Sequence, residues 1–166
     1  MKNDKKGIAI VPGSFDPITY GHIDIVKRAA DEYETVYLAV MINSDKQYTF
    51  DLEEREERAK IAVTDIPNVR VISSDGMLWE LARDLSADAI VKGYRNVTDL
   101  EYEKKMAEYN ESKYPLAKTV LLPSKNGLEF VSSTEVRKRL VGSEMLDDFL
   151  PASVLNEINK ILEKRK

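Results

Sequence analysis

A chain of 166 residues, 43% of them hydrophobic and 33% charged, is sized for one globular domain. It carries no cysteine and one histidine, which excludes disulfides, thiolate catalysis and multi-histidine metal centres and leaves only hard cations on carboxylates and substrate phosphates. A net charge of −4 (25 Lys+Arg against 29 Asp+Glu) speaks against a broad nucleic-acid surface, and no apolar run approaches the ~20 residues of a membrane span.

Taken in chain order, residues 1–6 form a charged start, expected to be flexible and too weakly followed by apolar residues to be a secretory signal. Apolar runs at Ile8–Val11, Val36–Ile42, Val69–Ser73, Ala89–Lys92 and Thr119–Leu122 predict five strands. Their near-continuous Ile, Val and Leu content suggests a sheet covered on both faces. Between them, Ile23, Val26, Ala29, Ala30 and Tyr33 recur at helical spacing, and Asp51 with Glu54 reads as a capping box opening a helix through Ala59, Ile61 and Ala62. The charge-dense stretch Glu53–Glu57 reads as an exposed helix face. Trp79, Leu81, Ala82 and Leu85 mark a third helix, with Trp79 expected in the core or at a subunit contact. A fourth runs from Leu100 to Tyr114 behind a Thr98/Glu101 capping box and stops before Pro115. From Ser133 to Lys166 the pattern is helical, broken near Gly142 and Pro151. Strands alternating with helices predict a single three-layer α/β domain over residues 1–166: a five-stranded parallel sheet, helices on both faces and a helical C-terminal tail.

In open α/β sheets ligands bind beyond the carboxyl ends of the strands. The segments at those ends are Pro12-Gly13-Ser14-Phe15-Asp16-Pro17-Ile18-Thr19-Tyr20-Gly21-His22, Asn43-Ser44-Asp45-Lys46, Lys92-Gly93-Tyr94-Arg95 and Pro123-Ser124-Lys125, the last leading to Phe130-Val131-Ser132-Ser133-Thr134. Glycines, hydroxyls and cations gather there, as an anion site requires. Gly13 permits a tight turn and Gly21 a close ligand approach. His22 falls in the first turn of a helix, where backbone N–H groups and the dipole favour phosphate and an imidazole can add a hydrogen bond. Lys46 offers a point charge and Arg95 a planar fork. Ser132, Ser133 and Thr134, with Glu135 completing a cap signature, open another helix N-terminus. No G-x-x-x-x-G-K-[ST], G-x-G-x-x-G or G-x-S-x-G occurs, so P-loop, dinucleotide-oxidoreductase and nucleophile-elbow chemistries lack support.

Three blocks in order resemble a known family. Pro12-Gly13-Ser14-Phe15-Asp16-Pro17 with Gly21-His22 is similar to the signature of the nucleotidyltransferases that carry a T/H-x-G-H motif. Lys92-Gly93-Tyr94-Arg95 with Asp99 and Glu101-Tyr102-Glu103, then Val131-Ser132-Ser133-Thr134-Glu135-Val136-Arg137, resemble the next two blocks of the phosphopantetheine adenylyltransferases. The resemblance implies a Rossmann-like fold and the transfer of the adenylyl group of ATP to 4′-phosphopantetheine, giving dephospho-coenzyme A and pyrophosphate with Mg²⁺ and without a covalent enzyme intermediate. It implies that His22 stabilises the transition state at the α-phosphate and that Ser14 and Lys46 hold the attacking phosphate, with Lys92 nearby and Leu78 along the pantetheine arm. Ser14, Phe15, His22, Gly93, Tyr94, Arg95, Glu103, Leu128, Glu129, Phe130, Val131, Ser132, Ser133 and Thr134 would bind ATP. It further implies a cytoplasmic homohexamer and coenzyme A as a feedback inhibitor, with neither nucleic acid nor membrane as partner. Lys92 stands where the family often has arginine, keeping the charge without the fork; Tyr94 replaces the usual leucine, and Ser14 a common threonine.

Plainer readings exist for the same residues. Arg95 could pair with Asp99 or Glu103, Gly93 could simply end a strand, and the Ser132–Thr134 run could be capping alone. A nicotinate mononucleotide adenylyltransferase, a glycerol-phosphate cytidylyltransferase and a nucleotide sensor without turnover share parts of the pattern. The intact His22, Lys46 and Arg95 argue against the sensor, and the chain is too short for a class I aminoacyl-tRNA synthetase.

Overall fold

The computed structural model describes residues 4–142 and 144–166; the first three residues of the expected flexible start lie outside the described residues. Five parallel strands, β1 (Lys6–Gly13), β2 (Tyr33–Met41), β3 (Val69–Ser74), β4 (Ala89–Tyr94) and β5 (Lys118–Pro123), form one sheet in the order β3-β2-β1-β4-β5. The helices are α1 (Tyr20–Glu32), α2 (Leu52–Ala62), α3 (Leu78–Asp84), α4 (Val97–Lys113), α5 (Ser133–Val141) and α6 (Ala152–Lys164). The chain winds outward from β1 to β3, then returns to place β4 on the other side of β1. That reversal is the topological switch point of a doubly wound sheet.

The apolar strands dictate the layers. Ala9, Val36, Leu38, Val40 and Val91 are buried against α1, α2, α5 and α6, through Val26, Ala59, Val136, Val154 and Ile158. On the opposite face Ile10, Ala39 and Ile90 pack with Ala82 of α3 and with Ala87 and Ala117. The central strands are buried on both faces, whereas the edge strand β3 is only half-covered.

Several local expectations are corrected. Tyr33 is not helical: its N–H caps α1 on the Ala29 carbonyl and its extended backbone opens β2 with no intervening loop. The fourth helix begins at Val97, and its cap is Asn96, whose side chain accepts from Asp99 N–H; the Thr98/Glu101 box does not form. The helical tail ends its first helix at Val141, near Gly142 as expected, but residues 144–151 before the next helix are not helical. Glu53–Glu57 is not simply an exposed face, because Arg55 within it is buried, as is Arg58 one residue beyond. The Asp51/Glu54 capping box, by contrast, is present in both directions at 2.8 and 3.0 Å. Trp79 is half-buried, with the Arg83 guanidinium 5.4 Å from its ring.

One buried carboxylate ties the loop after β1 to the rest. Asp16 is 4% exposed and accepts the Thr49 and Phe50 N–H groups at 2.9 Å each, while its carbonyl accepts from Arg137 of α5 at 2.8 Å. Asp16→Ala leaves those two amides without their charged acceptor, and unfolding by urea should show a loss of about 3 kcal/mol. A loss below about 1 kcal/mol would mean that the amides find other partners.

Candidate active site

The site follows from where β1 and β4 part. β1 pairs with β2 over seven positions up to Gly13↔Val40, but with β4 only at Ala9↔Ala89 and Ile10↔Ile90. Beyond that point the two strands diverge, and Val11, Pro12 and Gly13 on one side and Val91, Lys92 and Gly93 on the other line a cavity of about 420 Å³. α1 and α5 direct their N-terminal turns at it, contributing Gly21 and His22 and then Ser132, Ser133 and Thr134. Two glycines are there for room. A Cβ on Gly93 would come within 2.9 Å of Ile25 Cγ1, and one on Gly21 within 3.2 Å of the Val131 carbonyl oxygen. Side chains at these positions would push α1 away from β4 and from the approach to α5.

His22 occupies the third position of α1 and closes an unusual capping box. Thr19 Oγ1 accepts from His22 N–H, and the imidazole Nδ1 accepts from Thr19 N–H at 3.0 Å. An accepting Nδ1 places the ring proton on Nε2, which remains the ring's donor at the cavity wall. Phe15 meets the ring edge-on at 5.0 Å between centroids. Phe15 has φ +49°, uncommon for a bulky residue, in a loop held by the Asp16 contacts. Burial lowers the His22 pKa to about 4, aided by the charges of Arg95 and Lys92. At neutral pH the group is an uncharged donor.

The cations are held by α4. Lys92 pairs with Glu103 at 3.3 Å, and Arg95 Nε pairs with Asp99 at 3.1 Å, the Asp99 carboxylate also accepting Arg95 N–H at 3.2 Å. Asp99 and Glu103 are one turn apart on α4, so one helix face carries both counter-charges. The plainer reading of Arg95 is thus realised for Asp99 while Arg95 still lines the cavity. At α5, Ser132 does cap the helix, accepting Glu135 N–H at 3.1 Å, but the Glu135 side chain pairs with Arg139 rather than completing the box. Ser133 Oγ donates to the Pro17 carbonyl at 2.8 Å, fastening α5 to the loop after β1. The N-terminal backbone of α1 is partly committed: Tyr20 N–H is taken by the Phe149 carbonyl and His22 N–H by Thr19.

Of the residues expected from sequence, Phe15, His22, Lys92, Gly93, Arg95, Glu103, Leu128, Val131, Ser132, Ser133 and Thr134 share the wall of this cavity. Leu78 lies instead on an adjoining cavity of about 70 Å³, which shares Lys92, Tyr102 and Glu103 with the larger one. Ser14, Tyr94, Glu129 and Phe130 are not on the described wall; Phe130 is 63% exposed at the rim segment. Lys46 stands exposed on the loop between β2 and α2, which the structure leaves off the wall. Sequence reasoning saw Asp99 only as a partner for Arg95 and gave no individual role to Tyr102 or Ser124, which with Asp99 line the cavity, nor to Thr19, which orients the histidine. The Asn96 cap and the four-residue spacing of Asp99 and Glu103 carried that signal.

The cytidylyltransferase-like family model matches residues 10–139. A phosphopantetheine adenylyltransferase of Caldanaerobacter subterraneus subsp. tengcongensis is 41% identical over 159 residues, covering 96% of this chain and 98% of its own. The chain belongs to the phosphopantetheine adenylyltransferase family. A second member, from Heliobacterium modesticaldum, is 43% identical over 148 residues, covering 89% of this chain and 88% of its own. Among solved structures, a Vibrio parahaemolyticus protein described as a candidate nicotinate-nucleotide adenylyltransferase superposes with a TM-score of 0.70 over 93% of both chains; at 19% identity the likeness concerns the fold.

Because His22 is the chain's only histidine, its titration is directly readable. The imidazole proton resonances should titrate with a midpoint near 4 and, at pH 7, ring ¹⁵N shifts should report the Nε2–H tautomer. A midpoint near the ordinary value of about 6.5 would show the ring to be solvated and free of Thr19.

Proposed function

We propose that this chain transfers the adenylyl group of ATP to 4′-phosphopantetheine, releasing pyrophosphate and dephospho-coenzyme A. The observation that carries the reading is the neutral His22 donor, fixed by Thr19 and placed between Lys92, Arg95 and the α5 N-terminus at the sheet's switch point. An oxygen of the acceptor phosphate attacks the α-phosphorus of ATP. A new P–O bond forms as the bond to the β-phosphate bridge breaks, and pyrophosphate leaves with the electron pair. No protein nucleophile is needed, and the catalytic work is alignment and stabilisation of charge on the α-phosphoryl oxygens. His22 suits that task because a neutral Nε2–H donates across the neutral pH range without taking a proton from the acceptor. Family membership and this placement support the ATP assignment of the cavity residues; Glu129, Phe130 and Tyr94, sequence neighbours of wall residues, are assigned to ATP on family membership alone.

Ser14 and Lys46 are assigned to the acceptor phosphate, Lys46 reaching it from its exposed loop. Leu78 is assigned to the pantetheine arm, and the small cavity it shares with Lys92, Tyr102 and Glu103 supports that choice. When phosphates enter, Lys92 and Arg95 can exchange their carboxylate partners for phosphate oxygens. An Mg²⁺ carried by the nucleotide phosphates would need one or two protein carboxylates at most and would supply charge neutralisation. Asp99 and Glu103, the carboxylates of the described wall, are the residues that would hold it. No helix among the described residues is long and apolar enough to cross a membrane. A cytoplasmic homohexamer inhibited by coenzyme A completes the proposal, with light scattering and inhibition of the forward reaction as its measurements.

Pyrophosphate release with ATP, Mg²⁺ and 4′-phosphopantetheine should proceed, and should fail with nicotinate mononucleotide or glycerol phosphate as acceptor; the reverse preference would overturn the substrate assignment. His22→Ala should lower kcat by about 100-fold or more while ATP affinity changes little, since the donor acts on charge that develops in the transition state. An unchanged kcat would remove the imidazole from the chemistry. Lys46→Ala should raise the KM for 4′-phosphopantetheine and leave that for ATP unchanged.

A further inference from the structure

A buried arginine lies behind the two acceptor contacts. Arg55 of α2 is 2% exposed, and it donates from Nε to the Phe50 carbonyl at 3.1 Å and from Nη1 to the carbonyls of Ser14 at 2.9 Å and Met41 at 3.2 Å. One guanidinium thereby joins the loop after β1, the end of β2 and the turn into α2. Its Cζ lies 3.8 Å from the centroid of the Tyr48 ring. The Tyr48 hydroxyl accepts Asn43 N–H at 2.9 Å, and the Asn43 carbonyl accepts Lys46 N–H at 3.0 Å. A chain of contacts thus runs from Arg55 through Tyr48 and Asn43 to the backbone of Lys46.

The far end of that loop is equally constrained. The Asp16 carboxylate takes the N–H groups of Thr49 and Phe50, Arg55 takes the Phe50 carbonyl, and Arg165, just beyond α6, takes the Thr49 carbonyl at 2.9 Å. All four backbone groups of this dipeptide are held by charged side chains from three separate parts of the chain. Lys46 therefore rides on a loop whose ends are fixed.

No ion pair among the described residues includes Arg55. A buried guanidinium without a carboxylate is costly, and three carbonyl dipoles compensate it only in part. Packing alone would be served as well by an uncharged side chain. We infer that Arg55 is a positioning residue for the acceptor phosphate: it sets the Ser14 backbone and the Lys46 loop in one register and places a fixed positive charge behind both. This inference rests on the acceptor roles proposed for Ser14 and Lys46.

The test is initial-rate kinetics with ATP and 4′-phosphopantetheine varied in turn, on the wild type, Arg55→Lys, Arg55→Met and Lys46→Ala, with thermal unfolding alongside. Lysine keeps the charge but cannot span three carbonyls, so Arg55→Lys should stay folded and raise the acceptor KM about tenfold, with the ATP KM within about twofold of wild type. Arg55→Met should raise the acceptor KM further; if it does not fold, the lysine variant decides. A folded Arg55→Lys with an unchanged acceptor KM, or with both KM values rising in proportion, overturns the inference. If Lys46→Ala raises the acceptor KM and Arg55→Lys does not, only the role of Arg55 fails. If Lys46→Ala leaves the acceptor KM unchanged, or the wild type does not turn over this acceptor, the underlying site reading fails and the inference with it.

Discussion

The parting of β1 and β4 after Ile10↔Ile90 is the constraint on which the rest of the site depends. Had the two strands stayed paired to their carboxyl ends, Pro12, Gly13, Lys92 and Gly93 would have been occupied with one another. Because the chain reverses direction across the sheet here, the strands are free to splay, and the helices that follow bring their N-termini to one crevice. The small residues at Gly21 and Gly93 are consequences of that geometry: α1 packs so close to β4 that Ile25 fills the space a Gly93 side chain would take.

Lys92 and Arg95 line the cavity paired with Glu103 and Asp99, which holds both cations in place. These pairs are partly exposed, so exchanging a carboxylate for a phosphate costs little. His22 is different in kind. Burial and the two neighbouring cations keep it neutral, so it contributes a directed N–H and no charge. In the function proposed above, the positive groups would hold the substrates and the neutral donor would address the reacting centre. The same segments also carry structural load: Asp16, next to Phe15, anchors the loop before α2, and Ser133 fastens α5 to Pro17.

The sheet, its strand order of appearance and most helices were legible because each rests on a local pattern. Ile, Val and Leu runs mark buried parallel strands whatever they pack against, and Asp51 with Glu54 caps α2 through neighbours in sequence. Where two local signals competed, reading went astray: Asn96 and Thr98 both suit a cap, and only the backbone conformation entering α4 favours Asn96. Tyr33 fits the spacing of α1 yet opens β2, because its pairing with Lys6 across the sheet decides its backbone.

By itself the sequence determined the class of fold, the strand-end segments that supply the site and, through the ordered blocks, the family. Those are properties of short stretches and their order. Only the tertiary structure decided that His22 is desolvated beside Lys92 and Arg95, that Lys92 takes Glu103 as its partner, and that Arg55, inside a run of glutamates, is buried against the Ser14 and Met41 carbonyls as well as that of Phe50. Burial and the contacts between separate elements depend on groups that folding brings together, so no local pattern could carry them.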